Sequence, residues 1–142
     1  TVHGAKNCFD QSNAVWGLVR SSQRDRKLNG EYYFDTLGAD VDAYVIDTGI
    51  YTGHSQFGGR ARFGVSFTGE THQSDQNGHG THCAGTIGAE NYGIAKNANL
   101  VGVQVLSSTG SGYMSWVVSG VSWVCDAYKA STSGNKCVVN LS

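Results

Sequence analysis

Along this chain of 142 residues the apolar positions follow two periods, one suited to strands and one to helices. A β-branched apolar run from Asp42 to Asp47 predicts a buried strand that ends in an acid and a Thr48-Gly49 turn. Ala61 to Phe67 alternates and predicts a second strand. Leu100 to Leu106 is almost continuously apolar, as expected of a strand covered on both faces. Cys137 to Leu141 predicts a fourth. From Tyr113 to Ala130 the period changes: Met114, Val117, Val121, Val124 and Tyr128 recur at three- and four-residue steps, the inward stripe of a helix. His79 to Gly88 opens another helix, rich in small residues. Ser12 to Val19 predicts a short one, with Ser12 or Asn13 as N-cap and Trp16 and Val19 facing inward. Residues 1–10 are expected to be an irregular extension, and residues 20–40 a polar loop with an aromatic patch at Tyr32, Tyr33 and Phe34. Strands alternating with helices indicate an α/β fold with a parallel sheet and right-handed crossovers.

Composition narrows the function classes. The length suits one domain, which would bury roughly two-thirds of its unfolded surface. Net charge is −1 without a basic block or an acidic tail, so neither nucleic acid nor an anionic membrane is suggested as a partner. No apolar run approaches the roughly 20 residues of a membrane helix, and no signal-peptide pattern opens the chain. Thr1 in place of Met suggests a processed product, which would fit a secreted enzyme. Arg24, Asp25, Arg26 and Lys27 read as a solvated turn. Proline is absent from the 142 residues, whereas average usage near 5% would give about seven.

The candidate chemistry lies at two strand and helix ends. Asp47 closes the first strand, where open parallel sheets place their chemistry. His79 stands at a glycine-flanked turn, Asn77-Gly78-His79-Gly80-Thr81-His82, that runs into a small-residue helix. A carboxylate on one imidazole nitrogen holds the ring in one tautomer and makes it a general base. Gly78 and Gly80 lack a Cβ, so a substrate backbone could pass close to His79. His82 reads as a structural hydrogen-bonding residue beneath the site. A zinc pair of His79 and His82 is disfavoured, because further ligands are needed and Cys83 should face elsewhere. No metal ligand is assigned.

These segments resemble the subtilisin-like serine proteases (peptidase family S8), in particular the proteinase K-like branch. Val45-Ile46-Asp47-Thr48-Gly49-Ile50 is similar to that family's aspartate motif, and Asn77 to Ile87 to its histidine motif. The likeness continues through Trp16-Gly17-Leu18, Phe57-Gly58-Gly59-Arg60-Ala61, Tyr92-Gly93-Ile94-Ala95, Val103-Gln104-Val105-Leu106 and Gly110-Ser111-Gly112. It covers residues 11–142 and implies the amino-terminal half of a subtilase domain with a three-layer αβα fold. It implies Asp47 and His79 as catalytic residues, Gly110, Ser111 and Gly112 as an edge that pairs with polypeptide substrate, and Cys83 as a free thiol beside the histidine. Tyr113 and Met114 either border a substrate pocket or pack the helix start.

The family's serine motif, Gly-Thr-Ser-Met-Ala, does not occur in these residues, and neither does its oxyanion asparagine. The expected partner is therefore a missing C-terminal half carrying the serine. The rival reading is a non-catalytic, truncated subtilase-like fragment that acts as a binding module. Val41-Asp42 stands where proteinase K-like enzymes often carry a cysteine. Cys125 and Cys137 form a disulfide or are buried hydrophobes, and Cys8 could pair with a part of the protein outside this sequence. Calcium is a possible cofactor by resemblance, with Glu70 and Asp75 as candidate ligands.

Overall fold

A computed structural model describes residues 9–71 and 73–142. In order they form β1 (Phe9–Gln11), α1 (Trp16–Ser22), β2 (Tyr32–Phe34), β3 (Val41–Asp47), a 3-10 turn at Ser55–Phe57, and β4 (Ala61–Ser66). Then come α2 (His79–Gly88), β5 (Asn99–Gln104), α3 (Met114–Ala130) and β6 (Lys136–Leu141). The four long strands make one parallel sheet in the order β4-β5-β3-β6. Asp47 is level with Gln104, and Ile46 with Leu141.

Strand alternation divides the core in two. Ala43 and Val45 point to one face, where they pack with Ile50, Phe57, Ala84, Ala89 and Leu100 under α2. Tyr44 and Ile46 point to the other, where Val101, Val103, Val105 and Val124 complete the layer under α3. The expected three-layer αβα arrangement is the one observed. It explains why β3 and β5 are almost uninterrupted apolar runs, since both of their faces are covered.

Several local expectations are corrected. Helix α1 starts at Trp16 after an extended Val15, with no side-chain cap, so neither Ser12 nor Asn13 caps it. Asn13 instead adopts a left-handed turn (φ 54°), and the Ala14 N–H is held by the Gly30 carbonyl. That later start rotates Trp16 outward to 75% exposure, while Leu18 and Val19 are buried. Phe9 and Asp10 belong to β1, and the 20–40 segment is not all loop: β1 pairs antiparallel with β2, placing Phe9 opposite Phe34.

On α3 the inward stripe is displaced from the expected one. Met114, Val121 and Tyr128 face outward, and Trp116, Val117, Trp123, Val124 and Ala127 face the sheet. Gly120 decides this orientation. A Cβ there would lie 2.7 Å from Val105 Cγ1 and 3.3 Å from Val103 Cγ1, so the helix is seated on the sheet at that point.

Among the described residues, no helix is long and apolar enough to cross a membrane. Arg24, Asp25, Arg26 and Lys27 are exposed, as expected.

Candidate active site

The carboxyl end of β3 and the start of α2 meet through two glycines. Gly78, with φ 101°, is the backbone N-cap of α2. Gly80 is buried, and a Cβ on it would stand 2.1 Å from the Gly49 carbonyl oxygen and 3.2 Å from Asp47 Cβ. The expectation that Gly80 leaves room for substrate is therefore corrected: it lets the helix start press against the end of β3.

That approach brings the two candidate residues together across 32 positions of sequence. His79 Nδ1 lies 2.8 Å from Asp47 Oδ1 and 2.9 Å from Oδ2. Asp47 is fully buried, and its Oδ1 also accepts the Thr48 N–H at 2.7 Å. The His79 side chain is 52% exposed. The hydrogen bond and charge of Asp47 raise the imidazole pKa above its ordinary value, against a small opposing effect of burial. With Nδ1 committed to Asp47, Nε2 is the ring atom left to exchange a proton with a bound group.

Asp75 is a site residue whose position the sequence did not disclose. Its Oδ1 accepts from Thr48 Oγ1 and from the Asn77 and Gly78 amides, and its Oδ2 from the Thr81 amide and hydroxyl. One carboxylate thus ties the end of β3 to the first turn of α2. Burial pushes its pKa up, but the hydrogen bonds from Thr81, Gly78 and Thr48 outweigh that and hold it below the usual carboxylate value. Glu70 is similarly committed, accepting the Ser108 amide and hydroxyl. Both acids are surrounded by N–H and O–H donors, which point hydrogens toward the carboxylate where a cation would need lone pairs. These two residues do not fit a calcium site.

Cys83 is one turn of helix beyond His79, on the same side of α2, with Sγ 3.9 Å from His79 Nδ1. The expectation that it faces elsewhere is corrected. Asp47, His79 and Cys83 bring a ligand atom each to within 4.8 Å of one another, yet Nδ1 already serves Asp47 and a closed zinc site needs four ligands. His82 is also corrected. It is exposed, without a side-chain hydrogen bond among the described residues, and lines a groove of about 700 Å³ with Tyr51, Phe57 and Tyr92.

Gly110, Ser111 and Gly112 are exposed and lie just beyond the end of β5. Gly112 must be glycine, since its Cβ would fall 2.3 Å from the Val105 carbonyl oxygen. Tyr113 and Met114 are both exposed, and the Tyr113 ring packs edge-on against Trp116 at 4.7 Å. Cys83, Cys125 and Cys137 are free thiols, so Cys125 and Cys137 are not bridged. Cys125 is exposed rather than a buried hydrophobe. Cys137 packs under α3, where burial, and then Asp42 and Cys125, push its thiol pKa up. Cys8 lies outside the described residues.

The chain is similar to several known proteases. The alkaline serine exoprotease A of Vibrio alginolyticus is 49% identical over 134 residues, 94% of this chain and 24% of that protein. Proteinase T of Parengyodontium album is 43% identical over 132 residues, 93% of this chain and 45% of that protein. The crystal structure of a cold adapted subtilisin-like serine proteinase superposes with a TM-score of 0.84 at 51% identity, covering 92% of this chain and 46% of the other. The chain thus spans less than half the length of these relatives. Residues 40–142 match the model of the subtilase family, peptidase S8, and the chain belongs to that family.

Proposed function

We propose that this chain supplies the aspartate and histidine of a secreted serine endopeptidase that hydrolyses polypeptides by acyl transfer. The carrying observation is the His79–Asp47 pair: a buried carboxylate within 2.9 Å of the inner nitrogen of a half-exposed imidazole. In the reaction, His79 Nε2 takes the proton of a serine hydroxyl as its oxygen attacks the scissile carbonyl. Asp47 holds the imidazolium so formed, and Nε2 then gives the proton to the departing amine. Water reverses the sequence to release the acyl group. The serine of the Gly-Thr-Ser-Met-Ala motif and the separate oxyanion asparagine would come from the rest of the complete protease, since these 142 residues do not contain that motif. Gly110 to Gly112 would pair with the substrate backbone as an added strand.

The test uses both the isolated chain and a complete protease containing it. The isolated chain is expected to show neither peptide hydrolysis nor labelling by a serine-directed phosphonate. The complete protease is expected to show both, and His79→Ala to reduce turnover by about 10⁶-fold, the scale seen on losing that histidine in subtilisin. A complete protein that binds peptides but is never labelled would replace this reading with that of a binding module.

A further inference from the structure

We propose that Glu70 is a positioning residue for peptide substrate, acting by locking Ser108 and with it the segment that carries Gly110, Ser111 and Gly112. The inference rests on the protease reading and names a residue that sets the substrate edge without touching substrate.

Ser108 is held on all sides. Glu70 Oε1 accepts the Ser108 amide at 3.0 Å and the Ser108 hydroxyl at 2.9 Å, across 38 positions of sequence. Its Oε2 shares the same amide at 3.2 Å. The remaining polar atom of Ser108, its carbonyl oxygen, accepts from Asn77 Nδ2 at 3.1 Å. Every hydrogen-bonding group of Ser108 is therefore engaged by a side chain from the segment between β4 and α2. Among the described residues no lysine, arginine or histidine forms an ion pair with Glu70, and its carboxylate is met by these hydrogen-bond donors. Hydrogen bonds to a charged acceptor are the stronger kind.

Both holding residues reach back to the candidate active site. Asn77 Oδ1 accepts the His79 amide at 3.3 Å. Gln104, buried and level with Asp47, directs its Nε2 to the Thr48 carbonyl at 3.2 Å and to Glu70 Oε2 at 3.5 Å. Among the described residues its Oε1 has no partner, so the amide is oriented for these two acceptors at the expense of its own oxygen. The position of Ser108 is thereby referred to the same backbone that carries Asp47 and His79.

The glycine-rich residues after Ser108 need such a reference. Ser107 donates its amide and hydroxyl to the Ser111 carbonyl, and the Gly110 amide returns to Ser107, closing a tight turn. The Gly112 amide and the Gly110 and Gly112 carbonyls have no hydrogen-bond partner among the described residues. They are the free groups a peptide strand would use, on a stretch with little stiffness of its own. Fixing the stretch beforehand removes an ordering cost from binding.

The experiment compares wild type with Glu70→Ala and Glu70→Gln in the complete protease. Substrates are a tetrapeptide anilide, which spans the edge, and a small acyl ester, which does not. Glu70→Ala is expected to raise KM for the tetrapeptide by about tenfold, the scale of one or two lost hydrogen bonds. Its kcat should stay within about twofold and the ester kinetics should follow wild type, with Glu70→Gln intermediate. Amide hydrogen exchange at Ser108 to Gly112 should accelerate in Glu70→Ala. Equal loss on both substrates, a fall in kcat alone, or unchanged exchange overturns the positioning role. If wild type hydrolyses neither substrate, the protease reading fails, and exchange across the same residues still decides whether Glu70 locks the segment.

Discussion

Gly80 meets the Gly49 backbone where no side chain fits at position 80: a Cβ there would stand 2.1 Å from the Gly49 carbonyl oxygen. The contact joins the first turn of α2 to the end of β3, and the His79–Asp47 hydrogen bond depends on it. Gly80→Ala is expected to cost about 1–3 kcal/mol of stability, the range for overpacking, and to push His79 away from Asp47. Denaturant unfolding and turnover of the complete protease check both parts. An alanine variant of unchanged stability and rate would show that the two segments can part without consequence.

The raised pKa of His79 fixes the direction of its pH dependence. Asp47, through hydrogen bond and charge, favours the imidazolium above the ordinary 6.5. A general base must be neutral, so hydrolysis should increase with pH through a limb whose midpoint lies above that value. Stability runs the other way. The contribution of protonated His79 is complete below 6.5 and is lost as pH rises through the raised folded value. Asp47→Asn should shift the midpoint down and slow turnover by about 10⁴-fold. Titration of the His79 ring by NMR is the measurement, and a midpoint below 6.5 would contradict the geometry.

Asp75 should behave as an anchor with the opposite pH signature. Its pKa is held below the ordinary 3.8, so its contribution is present above that value and is lost as pH falls through the depressed folded one. Asp75→Asn turns an NH₂ toward donors that need an acceptor, at a cost of about 1–3 kcal/mol. Unfolding midpoints of the two proteins should differ near pH 6 and converge in acid. A difference that persists undiminished below the ordinary carboxylate range would place the loss elsewhere.

The outer edge of β6 predicts association. Among the described residues β6 pairs with β3 on one side only, and Val138, Val139 and Leu141 are 52%, 51% and 57% exposed. An apolar strand with one free edge recruits other chains. The 142-residue chain made alone is expected to elute as concentration-dependent oligomers on size-exclusion chromatography, and Val139→Lys to shift it toward monomer. A sharp monomer peak at all concentrations would show that the edge is protected.

Much of the architecture is legible in local pattern. The apolar run of β3 locates Asp47 at a strand end, and Gly78 marks the start of α2 at His79, because strand periodicity and glycine turns act over a few residues. The order β4-β5-β3-β6 and the pairing of Asp47 with His79 depend instead on which strands lie side by side. The buried face of α3 escapes local pattern for a related reason. Val118 and Val121 make that helix apolar on more than one side, and the choice falls to the close seat of Gly120 on Val103 and Val105.

The loop acids mark the boundary most clearly. In the sequence, Glu70 and Asp75 are carboxylates in a polar, glycine-containing segment, equally suited to water, a cation or a backbone amide. In the folded chain each is surrounded by donors, Asp75 by those of Thr48, Gly78 and Thr81, and Glu70 by those of Ser108. Residue type determined that both could accept hydrogen bonds. Asn77, Gly78 and Thr81 reach Asp75 from nearby in sequence, but only the tertiary structure brought Thr48 to Asp75 and Ser108 to Glu70, because hydrogen bonds respond to distance in space and sequence records only distance along the chain.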